Sequence, residues 1–264
     1  MKSLVLIKQV PNTDSPFRIN SAGTWVDEGN LTYGLNDYDR YALEELLRLK
    51  DAGKVTEVVA LTAGPERASS ALRTCLATGA DRAIHIKDDA LSAADPLSIA
   101  RAIVAAVKDE GFSLILAGLQ ADDDNHMAIG PFVARLLDHA CATAVTRLEL
   151  VDGSTARVER ELENNRVQVV ELTLPAVVTV QTGINEPRYA SLKGIMAAKK
   201  KEIRTLSLAD LKGGAGEVAA SAARFRTVRL APPPKGKGAE ILSGAADQIA
   251  KELVKRIREK TGVI

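Results

Sequence analysis

The first half of the chain alternates between short, uninterrupted apolar runs and longer segments whose apolar residues recur every three or four positions. Ser3–Ile7, Glu57–Thr62, Arg82–Ile86 and Ser113–Ala117 are such runs, too short for helices, and they predict buried strands. Asp39–Lys50 places Ala42, Leu43, Leu46, Leu47 and Leu49 at helical spacing with charges on the opposite face, and Gly53 follows as a stop. Glu66–Thr78 (ending at Gly79), Pro96–Asp109 and Ala128–Asp138 predict further helices, with Pro96 suited to a first turn and Asp95 to its N-cap. Strands separated by helices of this length predict βαβ units, and hence a parallel sheet covered on both faces and joined by right-handed crossovers. In that architecture ligands bind beyond the carboxyl ends of the strands, which points to Lys8–Asn12, Ala63–Pro65 and Gly118–Gly130.

After about Ala144 the texture changes. Val145–Leu150, Arg157–Leu162 and Val167–Leu172 are strand-like, with Asp152-Gly153 and Asn164-Asn165 as turns, the second suited to a hairpin. Ala176–Val180 is another buried strand, and all four read as additions to the same domain. Gly213–Gly216 and Ala231–Gly238 are linker-like. Ser243–Lys260 is an amphipathic helix with Ile249, Leu253 and Ile257 along one face. A helix beyond a Pro-rich linker either packs on another chain or folds back on its own domain, and the pattern by itself favours neither.

Composition narrows the class. At about 100–200 residues per domain, 264 residues make one large domain or two small ones. Thirty-five basic and 34 acidic side chains leave a net charge of +1, without the global basic field of a dedicated nucleic-acid binder. Aromatics are only 3 %, so the core is built from Ala, Val, Leu and Ile. Cys75 and Cys141 form no disulfide framework and no C-x-x-C pair, which argues for a reducing compartment. No run approaches the roughly 18 apolar residues of a membrane span. The first strand begins at once, leaving no room for a targeting peptide, so a cytoplasmic location is expected.

Common enzyme signatures are missing. There is no G-x-G-x-x-G after the first strand, no Walker A loop, no G-x-S-x-G elbow and no H-E-x-x-H. His85, His126 and His139 are not at metal-ligand spacing, His85 reads as a packed strand residue, and Cys75 as a small buried helix residue. Three segments stand out. Asn36-Asp37-Tyr38-Asp39 precedes a helix, where capping suffices to explain it, although the same groups could contact an adenine or ribose at the sheet edge. Gly118–Pro131 leads from a strand into a helix whose N-terminal N–H groups suit a phosphate; its Asp122, Asp123 and Asp124 read better as solvated helix-cap residues than as metal ligands, and would repel a phosphate unless some turn away. Asn185–Lys201 sets Leu192 in a polar loop before a short basic helix, a pattern that suits an acidic partner with an apolar socket, although the residues alone favour an ordinary surface loop with a solvated lysine run.

The thirty residues LPAVVTVQTGINEPRYASLKGIMAAKKKEI resemble the signature of the electron-transfer flavoprotein β subunit. VLIKQVPNT, YALEELLRLK, CLATGADRAIHI, GLQADDD and VERELENN are similar to that family along essentially the whole chain. The resemblance implies a Rossmann-like α/β fold of the adenine-nucleotide α-hydrolase type, with an added β-hairpin region. It divides the chain into a nucleotide-binding domain over 1–230, including a partner-recognition loop at 184–201, and an arm over 231–264 that packs on a larger α subunit. It implies FAD held mainly by α with its edge facing β. AMP would lie in β, or a second FAD in its place if the protein is an electron-bifurcating member that accepts electrons from NADH. Its partners would be the α subunit, an acyl-CoA or other flavin dehydrogenase, and a quinone oxidoreductase.

The family's nucleotide positions fall on Leu6, Asn36, Asp37, Tyr38, Asp39, Ala63, Gly118, Gln120, Ala121, Asp123, Asp124, Asn125, His126 and Ile129, with Thr13 near the shared flavin. Where the family offers Asn, Thr or Gln to the phosphate, this chain has His126, Met127, Ala128 and Ile129, so backbone N–H groups with Asn125 and His126 would take that task. Leu192 matches the family's recognition anchor, with Ile195 and Met196 beside it. On this resemblance no side chain is catalytic in the acid–base sense. A stand-alone ATP-hydrolysing domain of the same fold would need phosphate motifs that are missing, and would have no use for Leu192 or the arm.

Overall fold

The computed structural model describes residues 1–211, 223–224, 227–234, 236 and 238–262. Its main sheet has nine strands. In chain order they are β1 (Lys2–Leu6), β4 (Glu57–Gly64), β5 (Arg82–Lys87), β6 (Leu114–Gly118), β7 (Ala140–Leu150), β8 (Thr155–Leu162), β9 (Arg166–Thr173), β10 (Ala176–Val180) and β11 (Ile203–Leu206). The two strands missing from that series, β2 (Gln9–Pro11) and β3 (Tyr33–Leu35), form a separate antiparallel hairpin. The sheet order is β11-β5-β4-β1-β6-β10-β7-β8-β9. Every pairing from β11 through β7 is parallel, and β7-β8-β9 is an antiparallel extension of the same sheet. The helices are α1 (Asp37–Asp51), α2 (Ser69–Thr78), α3 (Pro96–Val107), α4 (Ile129–Leu137), α5 (Leu192–Ala198) and α6 (Ala246–Thr261).

The apolar runs divide between two layers because successive strand residues point to opposite faces. From β1 onward, Val5 and Ile7 join Leu43, Leu46, Leu47, Leu72 and Leu76 of α1 and α2. Leu4 and Leu6 join Ile103 and Val107 of α3 and Val133 of α4 on the other side. Burying one such Leu or Ile contributes about 1.5–3 kcal/mol, so both layers hold the sheet firmly. The expected βαβ architecture is therefore present, covered on both faces.

Several boundaries differ from expectation for local reasons. Helix α1 starts at Asp37, two residues early, with Asn36 at the N-cap position. The segment expected as one helix from Glu66 opens as a single 3-10 turn, Glu66–Ala68, before α2. Asp95 caps α3 as expected, accepting the Ser98 N–H at 2.8 Å. Strand β7 begins at Ala140 rather than Val145, because its first half pairs with β10 and only its second half enters the hairpin. Asn164 and Asn165 have φ of 60° and 54°, the left-handed pair a tight hairpin turn needs. Neither β11 nor the β2–β3 hairpin is apparent in the hydrophobic pattern, since both are short and partly polar. His85 is buried in β5, its Nε2 at 3.2 Å from the Gly64 carbonyl, and Cys75 is buried in α2, where burial pushes its thiol upward and keeps it inert. The glycine-rich linker at 213–216 lies outside the described residues. No residue of α6 is buried, and no helix among the described residues is long and apolar enough to cross a membrane.

Candidate functional site

The sheet's strand order reverses between β1 and β6, with β4 on one side and β6 leading to β10 on the other. Crevices form at the carboxyl ends of strands at such a point. Here one side chain bridges the crevice. Asp39 of α1 accepts the Lys8 N–H at 2.7 Å through Oδ2 and the Gly118 N–H at 3.0 Å through Oδ1, so it ties the chain after β1 to the end of β6. Asp39 is 5 % exposed. Burial pushes its carboxyl up to about 7, against these N–H bonds, which favour the charged form.

The loop from Leu119 to Ala128 is fastened to α1 from both directions. Asn36 Nδ2 donates to the Gln120 carbonyl at 2.9 Å, and Asn36 Oδ1 accepts the Asp122 N–H at 3.0 Å. The Asn36 side chain therefore makes no cap bond to its own helix, contrary to the capping role that its position suggests. Asp122 takes that role from a distance, accepting the Asp37 N–H at 3.1 Å. Gln120 Nε2 reaches the Tyr38 hydroxyl at 3.3 Å.

The three consecutive aspartates thus have separate tasks. Asp123 and Asp124 both bind the Lys8 ammonium, at 2.6 and 2.7 Å. Burial works to lower the Lys8 pKa, but the two carboxylates outweigh it and hold the ammonium above its ordinary value. Asp124 Oδ1 also accepts the His126 N–H at 3.0 Å. All three carboxylates are engaged on Lys8 or the start of α1, so the repulsion they would exert on an anion at α4 is reduced. Lys8 is the member of this cluster whose side chain the sequence did not single out; a lysine directly after the first strand, in a chain with three successive aspartates after the fourth, was the available signal.

Beyond the aspartates, Asn125 and Met127 adopt φ of 52° and 53°. These left-handed residues turn the backbone into the first turn of α4, whose N-cap Ala128 offers no side-chain cap. Gly130 packs so tightly on Thr179 of β10 that any Cβ there would collide with the threonine methyl. The Thr179 hydroxyl beside it is buried without a hydrogen-bond partner. Leu6 and Ala63 sit at the carboxyl ends of β1 and β4, flanking the same crevice, and Ala121 and Ile129 are part-buried at the start and end of the loop. Thr13 lies apart, on an exposed turn after β2.

The recognition segment follows β10 and runs along α1 to the carboxyl-terminal ends of α1 and α2, away from the crevice, where Arg188 meets Asp51 and Lys201 meets the Leu76 and Ala80 carbonyls. Leu192 is not in a loop, as its polar neighbours suggest, but is the first residue of α5, which Ser191 caps by accepting the Gly194 N–H at 3.0 Å. Leu192 is 84 % exposed, and Ile195, Met196 and Tyr189 are exposed beside it. Glu44 and Glu45, expected on the charged outer face of α1, are instead buried beneath residues 184–191.

A doubly wound parallel sheet with its polar side chains gathered at the switch point defines a Rossmann-like α/β domain. Residues 24–211 match the model of the electron transfer flavoprotein domain. Over 264 residues the chain is 38 % identical to the electron transfer flavoprotein subunit beta of Methylophilus methylotrophus, covering 99 % of this chain and 100 % of that one. It is 39 % identical over 266 residues to the subunit beta of Bacillus subtilis, covering all of both chains. It is 34 % identical over 261 residues to that of Sus scrofa, covering 98 % and 97 %. The chain belongs to the electron transfer flavoprotein β-subunit family. Its role is accordingly in electron transfer, as the β member of a pair with an α subunit.

Proposed function

We propose that this β subunit completes a heterodimeric carrier that takes electrons from acyl-CoA or other flavin dehydrogenases and delivers them to a quinone oxidoreductase or another acceptor. FAD, held mainly by α with its edge toward β and Thr13, supplies the redox chemistry when bound. The residues of this chain bind, orient and present. AMP occupies the switch-point crevice as a structural ligand. Leu6 and Ala63 hold its base, Asn36–Asp39 and Gly118–Ala121 line its ribose, and the Asn125–Ile129 turn receives its phosphate. Leu192, Ile195 and Met196 dock the dehydrogenase, and residues 231–264 embrace the α subunit from a body formed by 1–230. The protein works in the cytoplasm.

The observation that carries the AMP reading is the donor set at the phosphate end. The first turn of α4 lacks a side-chain cap and abuts an unpartnered buried hydroxyl, a neutral arrangement suited to one phosphate. Lys8, the ammonium at this crevice, is already shared by Asp123 and Asp124. A second FAD would bring two phosphate groups to a donor set suited to one. The bifurcating reading, which Gly130-Pro131 and Val10-Pro11 suggest at the level of sequence, is therefore the less favoured.

Counting tests this directly. The α–β complex is purified, denatured, and its released FAD and AMP quantified by chromatography. One FAD and one AMP per heterodimer is the expected result; two FAD and no AMP would replace it with the NADH-oxidising reading.

A further inference from the structure

We infer that Arg188 and Asn185 are positioning residues that clamp the recognition segment onto α1, so that Leu192 is presented on a preformed surface. The inference rests on reading Leu192 as the docking anchor. Residues 181–191, between β10 and α5, contain no helix or strand. Ordering such a stretch costs about 1–2 kcal/mol per residue, so without fixed contacts the segment would sample many positions for Leu192.

The contacts are concentrated on two neighbouring carboxylates. Arg188 donates to Glu44 from its backbone N–H at 3.1 Å, from Nε at 2.8 Å and from Nη2 at 3.0 Å, a fork on one carboxylate plus a main-chain bond. Asn185 Nδ2 donates to Glu45 Oε2 at 2.9 Å and to the Tyr41 carbonyl at 3.1 Å. Glu44 is 5 % and Glu45 8 % exposed. A carboxylate buried to that degree without partners costs several kcal/mol, so α1 and the segment depend on each other. The additional Arg188 contact to Asp51, 2.8 Å long, is largely exposed and contributes little.

The far end of α5 is fixed by reciprocal capping. Arg73 of α2 donates to the Ala198 and Lys201 carbonyls at 2.7 and 3.1 Å. Lys201 donates in return to the Leu76 and Ala80 carbonyls at 3.0 and 2.6 Å, at the end of α2. Between these caps, Gly194 lies so close to the Ala77 carbonyl that any Cβ would collide. These contacts hold α5 against α2, with Leu192, Ile195 and Met196 exposed on its other side. A surface ordered before encounter loses less entropy on docking.

The test uses the flavin-loaded heterodimer with an acyl-CoA dehydrogenase as electron donor, and compares Arg188→Ala, Arg188→Lys, Leu192→Ala and the double variant Arg188→Ala with Leu192→Ala. Arg188→Ala should raise the KM for the carrier about tenfold, the equivalent of one lost charged hydrogen bond, and leave kcat and flavin content unchanged. Arg188→Lys, which cannot form the fork, should fall between. The double variant should be no worse than Leu192→Ala alone, because Arg188 acts only through the anchor. Additive losses, or an unchanged KM in Arg188→Ala where Leu192→Ala raises it, would overturn the clamp. Hydrogen exchange over 184–198 decides the clamp without any partner: exchange faster in Arg188→Ala supports it and unchanged protection refutes it, even if Leu192→Ala has no effect and the docking reading itself fails.

Discussion

The Gly118 N–H donates to Asp39 Oδ1 at 3.0 Å, and a Cβ added to Gly118 would stand only 2.5 Å from that same oxygen. The same Cβ would lie 2.5 Å from Tyr38 Cβ and 2.8 Å from its carbonyl carbon, so the helix cannot retreat cheaply. Glycine is required here by close approach and not by an unusual φ. Gly118→Ala should cost about 1–3 kcal/mol by overpacking. At roughly 2–4 °C per kcal/mol for a chain of this size, thermal unfolding would show the loss directly. An unchanged Tm would mean that α1 and the end of β6 are not held in register by Asp39.

Asp39 also gives the fold a pH dependence whose sign is fixed. Its carboxyl, ordinarily near 3.8, is raised to about 7 by burial, so between those values the native state keeps a proton that the unfolded chain has released. The contribution of this group to stability is complete below about pH 4 and is lost as pH rises through 7. Asp39→Asn removes that slope. Urea unfolding from pH 4 to 8 should show the wild type losing stability relative to the variant, and parallel curves would show that the carboxyl titrates normally.

Lys8 balances two carboxylates at the mouth of the crevice. Lys8→Met would leave Asp123 and Asp124 uncompensated beside the proposed phosphate position. AMP affinity of the stripped heterodimer, measured by calorimetric titration, should fall by about tenfold or more, since a like charge near an anion costs on the order of 1 kcal/mol even at high dielectric. Equal affinities in wild type and variant would place the phosphate elsewhere.

Helix α6 has no buried residue, and Leu253 and Ile257 are 48 % and 38 % exposed on it. Apolar side chains repeated along one helix face need a cover, and the α subunit is the proposed one. Removing residues 232–264 should weaken the heterodimer by at least tenfold in sedimentation equilibrium while leaving the melting of the remaining domain nearly unchanged. A heterodimer of undiminished affinity would disprove the arm.

The sequence by itself determined the buried strands β1, β4, β5, β6 and β10 and their order along the chain, because continuous apolar runs are satisfied by a sheet covered on both faces; the short, partly polar β2, β3 and β11 it did not. It also determined the hairpin at Asn164-Asn165, where two residues must take left-handed φ, and the family, through residues spread along the whole chain. What it left open were the directions of polar side chains. Asn36 stands where a cap belongs, yet its amide is spent on the loop after β6. Three successive aspartates look alike in sequence, and only the approach of Lys8 and of the α1 N-terminus assigned each a partner. Glu44 and Glu45 occupy the polar face of α1, and helical periodicity places them in water; the segment arriving from β10, 140 and 144 positions later in the chain, buries both. Periodicity reports which face of an element meets the core of its own layer. It contains no information about a distant loop folded across the opposite face, and only the tertiary structure decided where those charges ended.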